Sequence, residues 1–413
     1  MAEIQNRNNG GGQAFFRARN ISLVINTINK FEPITKRGLV NKTGLSFAKI
    51  NSIIYTLNKN KLTFESGKEN SSGGRRSALY QINPNYKYIV GCELSHTKVH
   101  TIVGNLKGEI LYNKSMYFEK FSSKEFVIQT IIENIRNAIE ELKVTPKKLL
   151  GIGVAVAGLV NPKEGAARPF PHLADWGDLS VKNLLEKEFN VTVHVENVAN
   201  AAALAELNFG KGNGKKNLLF LDIGSGVGMG IILNGTLYAG ATGSAGEFGH
   251  ITVNENGPIC ACGNVGCIET IASTKAVVNK AKEMLQQGVM SSLHKLSSNN
   301  LDKINFSMIC EAANSGDKLS FNLLDDMGKN LGEGIVTIIN LFNPETIILG
   351  GEVDQNCGPI LDSIINIVQK RALEIPRRAT EILFSSLGDN VIVIGSTIPL
   401  IEKFFSTSIG EIN

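Results

Sequence analysis

A chain of 413 residues is long enough for two or three domains, and 43% hydrophobic with 19% charged residues is the balance of a globular protein, which excludes a disordered one. No uncharged apolar run approaches the roughly 18 residues of a membrane span, and the opening MAEIQNRNNGGGQ has no apolar signal core, so a cytoplasmic protein without membrane contact is expected. The net charge of +4 is uneven: residues 1–85 hold 13 Lys or Arg against 4 Glu and no Asp, a local +9 that leaves −5 for the remainder and predicts a basic module of DNA-binding size on a mildly acidic body.

Residues 1–13 are polar, carry three consecutive Gly and have no apolar face, and they read as a flexible arm. Residues 14–85 read as a winged helix-turn-helix. Ile21, Val24, Ile25 and Ile28 fall at i, i+3, i+4 and i+7, the buried stripe of a first helix. In ITKRGLVNKTGLSFAKINSIIYTLNKNKL, Thr35 is placed to cap a short helix, Gly44 to make a left-handed turn, and Ser46 to cap a second helix. Ile50, Ile53, Ile54 and Leu57 would face inward, leaving Phe47, Lys49, Asn51, Ser52 and Tyr55, with the capping Ser46, at the end that reads the major groove. Leu62 to Tyr80 predicts a two-stranded wing whose tip offers Gly73, Gly74, Arg75 and Arg76 to phosphate or minor groove. A module that binds a protein would not require this agreement of stripe, turn glycine and basic wing.

Beyond residue 86, the apolar segments YIVGCEL, VHTIVGNL, LLGIGVAVAGLV, VTVHVEN, NLLFLDIGSGVGMGIILNG, TIILGG and VIVIGS read as strands alternating with helices, the pattern of an α/β fold. Two halves are expected, a first lobe over 86–200 and a second over 201–413, with a ligand cleft between them. The stretch MGKNLGEGIVTIINLFNP, with Gly332 and Gly334, predicts a helix in close contact with a neighbouring helix or protomer.

Three of the six cysteines lie within residues 260–267, in GEFGHITVNENGPICACGNVGCIE. Three thiolates and an imidazole, from Cys260, Cys262, Cys267 and His250, make a closed tetrahedral set for a structural Zn²⁺, with no position left for a reacting water. Three unrelated core cysteines would not call for the flanking Gly257, Gly263 and Gly266. Cys92, Cys310 and Cys357 stand apart and read as filler.

At this stretch, GEFGH followed by CxCGxxGCxE, the chain resembles the ROK family, which groups bacterial sugar repressors with sugar kinases. Further matching pieces are GIGVAVAGLV at 151–160, ENVANAAALAE at 196–206, DIGSGVGMGI at 222–231 and NPETIILGGEV at 343–353. The resemblance implies that the winged helix-turn-helix is followed by a two-lobed actin/hexokinase-like (ROK, ribonuclease H-like) sugar-kinase fold. Members whose N-terminal winged module ends in GGR are the repressors; here Gly73-Gly74-Arg75 stands in that place, with Arg76 where Pro is usual.

The resemblance also implies a sugar site of Asn197, Glu247, His250 and Glu269, side chains that donate or accept paired hydrogen bonds to neighbouring hydroxyls. His250 would then serve zinc through one ring nitrogen and the sugar through the other. Kinase members read ENDAN, with Asp as the general base; this chain has Val198 there, which cannot take a proton. Kinases open with a DIGGTK phosphate turn, and here Glu93-Leu94-Ser95-His96-Thr97-Lys98 has lost both glycines, although Gly224, Gly226 and Gly228 keep the other phosphate loop. In PFPHLADWGDL, where kinases place an Asn shortly before the Trp that borders the sugar, this chain has His172 and Trp176. The expectation is therefore a non-enzymatic, sugar-responsive transcriptional regulator, a repressor of carbohydrate-utilisation genes. It would bind operator DNA and a monosaccharide or derivative, hold structural Zn²⁺, and assemble as a homodimer or homotetramer. The alternatives are a sugar kinase using Glu93 or a water held by Asp222, and a kinase-like regulator governed by a protein partner.

Overall fold

The computed structural model describes residues 9–69, 76–95, 98–118, 123–158, 160–161, 166–167 and 180–407. The N-terminal module runs α1 (Asn9–Phe31), β1 (Ile34–Thr35), α2 (Lys36–Thr43), α3 (Phe47–Lys59), β2 (Thr63–Lys68) and β3 (Ala78–Ile82). Ile21, Val24, Ile25 and Ile28 of α1 meet Leu39 and the Ile50, Ile53, Ile54 and Leu57 stripe of α3 in one core. The Thr35 and Ser46 side chains cap α2 and α3 by accepting from the Gly38 and Lys49 N–H, and Gly44 ends α2 at φ 70°. The three strands form an antiparallel sheet in the order β1-β3-β2, so the wing hairpin is β2–β3. Its tip, with Gly73, Gly74 and Arg75, lies outside the described residues. The expected arm over 1–13 is corrected: α1 begins at Asn9, so residues 9–13 are helical, while residues 1–8 lie outside the described residues. Once the packed Ile21–Ile28 stretch fixes a helix, each preceding residue adds a bond without a new nucleus, which offsets the poor propensity of the glycines.

The first lobe contains β4 (Tyr88–Leu94), β5 (Lys98–Asn105), β6 (Ile110–Tyr117), α4 (Lys124–Glu141), β7 (Leu149–Val156), β8 (Val160–Asn161), β9 (Ala166–Ala167), α5 (Val181–Phe189) and β10 (Val193–Asn197), and α6 (Val198–Phe209) leads from it to pack on the sheet of the second lobe. The second contains β11 (Leu218–Ile223), β12 (Val227–Leu233), β13 (Thr236–Leu237), α7 (Ile268–Ala272), α8 (Thr274–Gln286), α9 (Leu293–Leu296), α10 (Phe306–Asn314), α11 (Lys318–Phe342), β14 (Thr346–Gly351), α12 (Gly358–Arg371), α13 (Glu374–Ala379), β15 (Glu381–Phe384) and α14 (Val391–Thr407). The sheets are β10-β7-β4-β5-β6 and β13-β12-β11-β14-β15. Both have the same plan, a meander of three antiparallel strands whose first strand pairs in parallel with the fourth, and the fourth with the fifth. This repeated sheet is the two-lobed α/β architecture that the sequence predicted.

Two expectations are corrected. VIVIGS is the start of helix α14, not a strand. The β-branched run continues into STIPLIEKFF, and burial of Val391, Val393, Ile394, Ile398, Leu400, Ile401, Phe404 and Phe405 follows the spacing of a helix covered on several sides. The second lobe also does not extend to residue 413: α14 returns to the first lobe, where it packs on β4, β7 and α6. The lobe 1 glycines permit this, because a Cβ on Gly91 or Gly153 would run into the Val393 or Ser396 carbonyl of α14. Gly332 and Gly334 of α11 do lie at close contacts, against Ile367 of α12 and against Phe248 and Ile268. Among the described residues no helix is long and apolar enough to cross a membrane.

Candidate functional site

The metal cluster forms after β13, where residues 246–250 end in a single helical turn, Phe248–His250. Short bridges pair Thr252 with Cys267 and Ile259 with Val265, folding the intervening loop on itself. Gly266, at φ 67°, lies so close to the Asn254 carbonyl that a Cβ would collide with it. The donor atoms of His250, Cys260, Cys262 and Cys267 all lie within 4.8 Å of one another. Cys260 Sγ is 3.6 Å from His250 Nδ1 and Cys262 Sγ is 3.8 Å from Cys267 Sγ. Ligands at about 2.3 Å (sulfur) and 2.0 Å (nitrogen) from a tetrahedral Zn²⁺ are about 3.5–3.8 Å apart, so the donor set fits that ion. The backbone N–H of Asn264 lowers the exposed Cys262 thiol to about 7, which favours the ligating thiolate.

Because Nδ1 of His250 faces the thiols, Nε2 is left for other partners, and it lies 3.8 Å from Glu247 Oε2. Burial and the nearby Glu269 raise the Glu247 carboxyl, which His250 partly opposes. Glu269, on α7, accepts from the Val227 N–H at 3.1 Å, which fixes one carboxylate oxygen at the start of β12. Asn197 ends β10 and caps α6: its Oδ1 accepts from the N–H of Ala199 and Asn200, and its Nδ2 donates to the Gly158 carbonyl at 2.9 Å. A ligand at Asn197 therefore meets the remaining Nδ2 hydrogen rather than an open carbonyl. The first turn of α6 abuts β12 where Ala199 meets Gly228. The structure thus brings Glu247 against His250 and within electrostatic reach of Glu269, while Asn197 approaches β12 through Ala199.

Sequence reasoning missed Glu196. It is buried, and its Oε1 accepts from the Asn197 N–H at 2.9 Å and from Asn200 Nδ2 at 3.0 Å, so it orients the capping Asn. Its position directly before Asn197 in the ENVAN stretch was the available signal.

The end of the first sheet at β4 and Val198 have different chemistry. Val198 is the first residue of α6 and is half-buried. Ser95 N–H donates to the Lys98 carbonyl at 2.9 Å, closing a tight β4–β5 turn; His96 and Thr97 lie outside the described residues, as do His172 and Trp176. Buried Glu93 pairs with Lys98 at 3.3 Å and approaches His100 Nδ1 at 3.6 Å. Asp222 is pushed up to about 7, first by burial, then by Glu93 and Glu352, against the opposing charge of Lys98. Cys92, Cys310 and Cys357 are buried, as filler should be, and the Cys357 thiol lies 3.9 Å from Asp354 Oδ1.

On the winged module, Phe47 and Tyr55 are 55% and 70% exposed, Lys49 and Ser52 are exposed, and Asn51 is half-buried. Ser46 is exposed with its hydroxyl engaged as the cap, and Arg76 is exposed at the base of the wing. Ala48, exposed between Phe47 and Lys49, belongs to the same face and was not singled out from the sequence.

The sequence matches the ROK family over residues 89–402. A xylose repressor of Bacillus spizizenii is 33% identical over 392 residues, covering 95% of this chain and 97% of the repressor. A solved ROK family transcriptional regulator, a homolog of the E. coli MLC protein, superposes with a TM-score of 0.82 at 26% identity, over 96% of this chain and 99% of that one. A ROK family glucokinase from Streptomyces griseus, solved with glucose and AMPPNP, reaches 0.68 at 29% identity but covers only 76% of this chain against 98% of its own.

Proposed function

Matched over residues 89–402, the chain belongs to the ROK family, and we propose that it is a sugar-responsive transcriptional repressor whose kinase-like pocket binds an effector without phosphorylating it. The observation that carries this reading is the union, in one chain, of an exposed α3 reading face and a pocket that offers sugar acceptors beside Val198. Repressor and regulator relatives match this chain nearly end to end, whereas the glucokinase covers a share that leaves room for an extra module.

In this reading Ser46, Phe47, Lys49, Asn51, Ser52 and Tyr55 face the major groove, and Arg75 and Arg76 contact phosphate or minor groove. Asn197, Glu247, His250 and Glu269 hold a monosaccharide or derivative. Zn²⁺ bound by His250, Cys260, Cys262 and Cys267 acts structurally, by fixing the loop that carries Glu247 and Glu269 at its two ends. A homodimer or homotetramer supplies two winged modules for a two-fold operator. Without a general base at 198, phosphoryl transfer would lose about 10²–10⁴-fold in rate.

The test is fluorescence anisotropy on the DNA upstream of the chain's own gene at a stated salt concentration, with and without pentoses, hexoses, amino sugars and their phosphates. Specific binding weakened by one sugar class is expected. No specific binding, together with ADP release at about 1–100 s⁻¹ in the presence of a sugar and ATP, would establish the kinase instead.

A further inference from the structure

Helices α6 and α14 both run from the pocket end of the lobe 1 sheet to the end that meets the winged module. Helix α6 starts at Asn197, beside the C-terminal ends of β7 and β10. Its 12 residues span about 18 Å. It finishes at Phe209, whose ring lies against Gly108 in the β5–β6 turn, where a Cβ would come within 2.9 Å of ring atoms. Helix α14 crosses Gly91 and Gly153 of the same sheet and reaches Leu400 beside Gly151. Its last turns place Leu400, Ile401, Phe404 and Phe405 in the core of the winged module. The two helices are held in register, since a Cβ on Gly395 of α14 would strike the Ala201 carbonyl of α6.

At the module end each helix has its own attachment. The Phe405 carbonyl accepts from Ser22 Oγ at 2.9 Å and from Asn26 Nδ2 at 3.4 Å, both on α1. The β5–β6 turn that Phe209 touches carries Lys107, which pairs with Glu32 at the end of α1 and donates to Asn29 Oδ1 at 3.1 Å. Glu32 in turn accepts from the Ile82 N–H at 2.6 Å, at the end of β3. The turn is braced by Asn105, whose Oδ1 accepts from Lys107 and Glu109 N–H and whose Nδ2 donates to Glu109.

We propose that the α6–α14 pair is the lever between sugar and DNA, and that the Lys107–Glu32 ion pair is the latch through which the α6 end of the lever sets the position of the winged module. A ligand on Asn197 or closure of the cleft acts on the cap of α6, and a rigid helix passes that displacement to Phe209. The β5–β6 turn follows, and with it the ion pair that ties α1 and β3. The signal has a physical path because close-packed helices shift as bodies rather than deform. Lys107, Glu32 and Phe209 are positioning residues, with no contact to sugar or to DNA.

This inference rests on the reading of the pocket as a sugar site. Its test measures the coupling factor, the ratio of operator Kd with and without saturating sugar, and its reciprocal, the change in sugar Kd when operator is added. Glu32→Gln removes the ion pair yet keeps an acceptor for the Ile82 N–H; Lys107→Met and Phe209→Ala break the path at its other points. Each variant should bind sugar alone and operator alone within about threefold of the parent chain, while both coupling ratios fall to within about twofold of unity. Lys280→Met, in a surface ion pair elsewhere, should leave them unchanged. Full coupling in all three latch variants would overturn the lever. A parent chain that binds no sugar would instead overturn the pocket reading on which the lever depends.

Discussion

The loop that carries His250, Cys260, Cys262 and Cys267 and the end of β4 that carries Glu93 use their polar groups in different ways. In the loop, four donor atoms lie within 4.8 Å of one another, Glu247 lies 3.8 Å from His250, and Glu269 accepts from the Val227 N–H. At the end of β4, Glu93 pairs with Lys98, and burial together with Glu93 and Glu352 raises the Asp222 carboxyl. On the proposed reading, binding and chemistry in this architecture are separable, because the sugar side would depend on a folded loop and the other side on a few side chains.

The largest effect should come from breaking the loop. Cys260 is buried, and Cys260→Ser removes a thiolate from a set that has no spare donor. We expect bound zinc, read by mass spectrometry of the metal, to fall from about one per chain to none, and sugar affinity to fall at least about 100-fold, because metal and loop folding are linked. Operator binding without sugar should persist. Unchanged sugar binding in a zinc-free variant would separate the metal from the pocket and end the comparison on that side.

A smaller effect is expected from Glu269→Gln. The amide keeps an oxygen for the Val227 N–H, so the loop stays folded, but the charged acceptor is lost. A hydrogen bond to a charged group contributes about 1.5–3 kcal/mol, which corresponds to a 10- to 150-fold loss of sugar affinity by calorimetry. If Glu269→Gln bound sugar as tightly as the parent chain, Glu269 would be a strut for β12 and not a ligand contact.

What the sequence could disclose follows from the range of the forces involved. Caps and stripes are local, so Thr35, Gly44, Ser46 and the Ile50–Leu57 face were legible before any fold was known. The metal set was legible because its three cysteines lie within eight residues. Helix α14 was misread because periodicity in a short β-branched run does not tell a strand from a helix buried on several sides. Its return to lobe 1 depends on Gly91 and Gly153, more than 200 residues away, and contacts at that separation leave no local pattern. The Lys107–Glu32 pair escaped for the same reason, since a surface-type residue becomes structural only once its distant partner is in place, whereas Glu196, whose partners are Asn197 and Asn200, was within local reach.

The smallest effect tests the surroundings of Asp222 by pH. Asp222 has its carboxyl raised to about 7 from an ordinary 3.8, chiefly by burial and then by Glu93 and Glu352. A carboxyl raised on folding favours the folded state at pH values below the ordinary pKa, and that contribution is lost as pH rises through about 7. Asp222→Asn cannot ionise, so it escapes that loss. Its melting temperature should exceed that of the parent chain by about 1–3 °C near pH 8, and the gap should close as the pH approaches 4. Lys98 would moderate the gain, since it opposes the shift and already pairs with Glu93. A difference independent of pH would mean that Asp222 is charged throughout and that the acids at this end do not repel one another. A gap that closes with acid would mark the carboxylates around Asp222 as a store of unfavourable charge, tolerated in the folded chain.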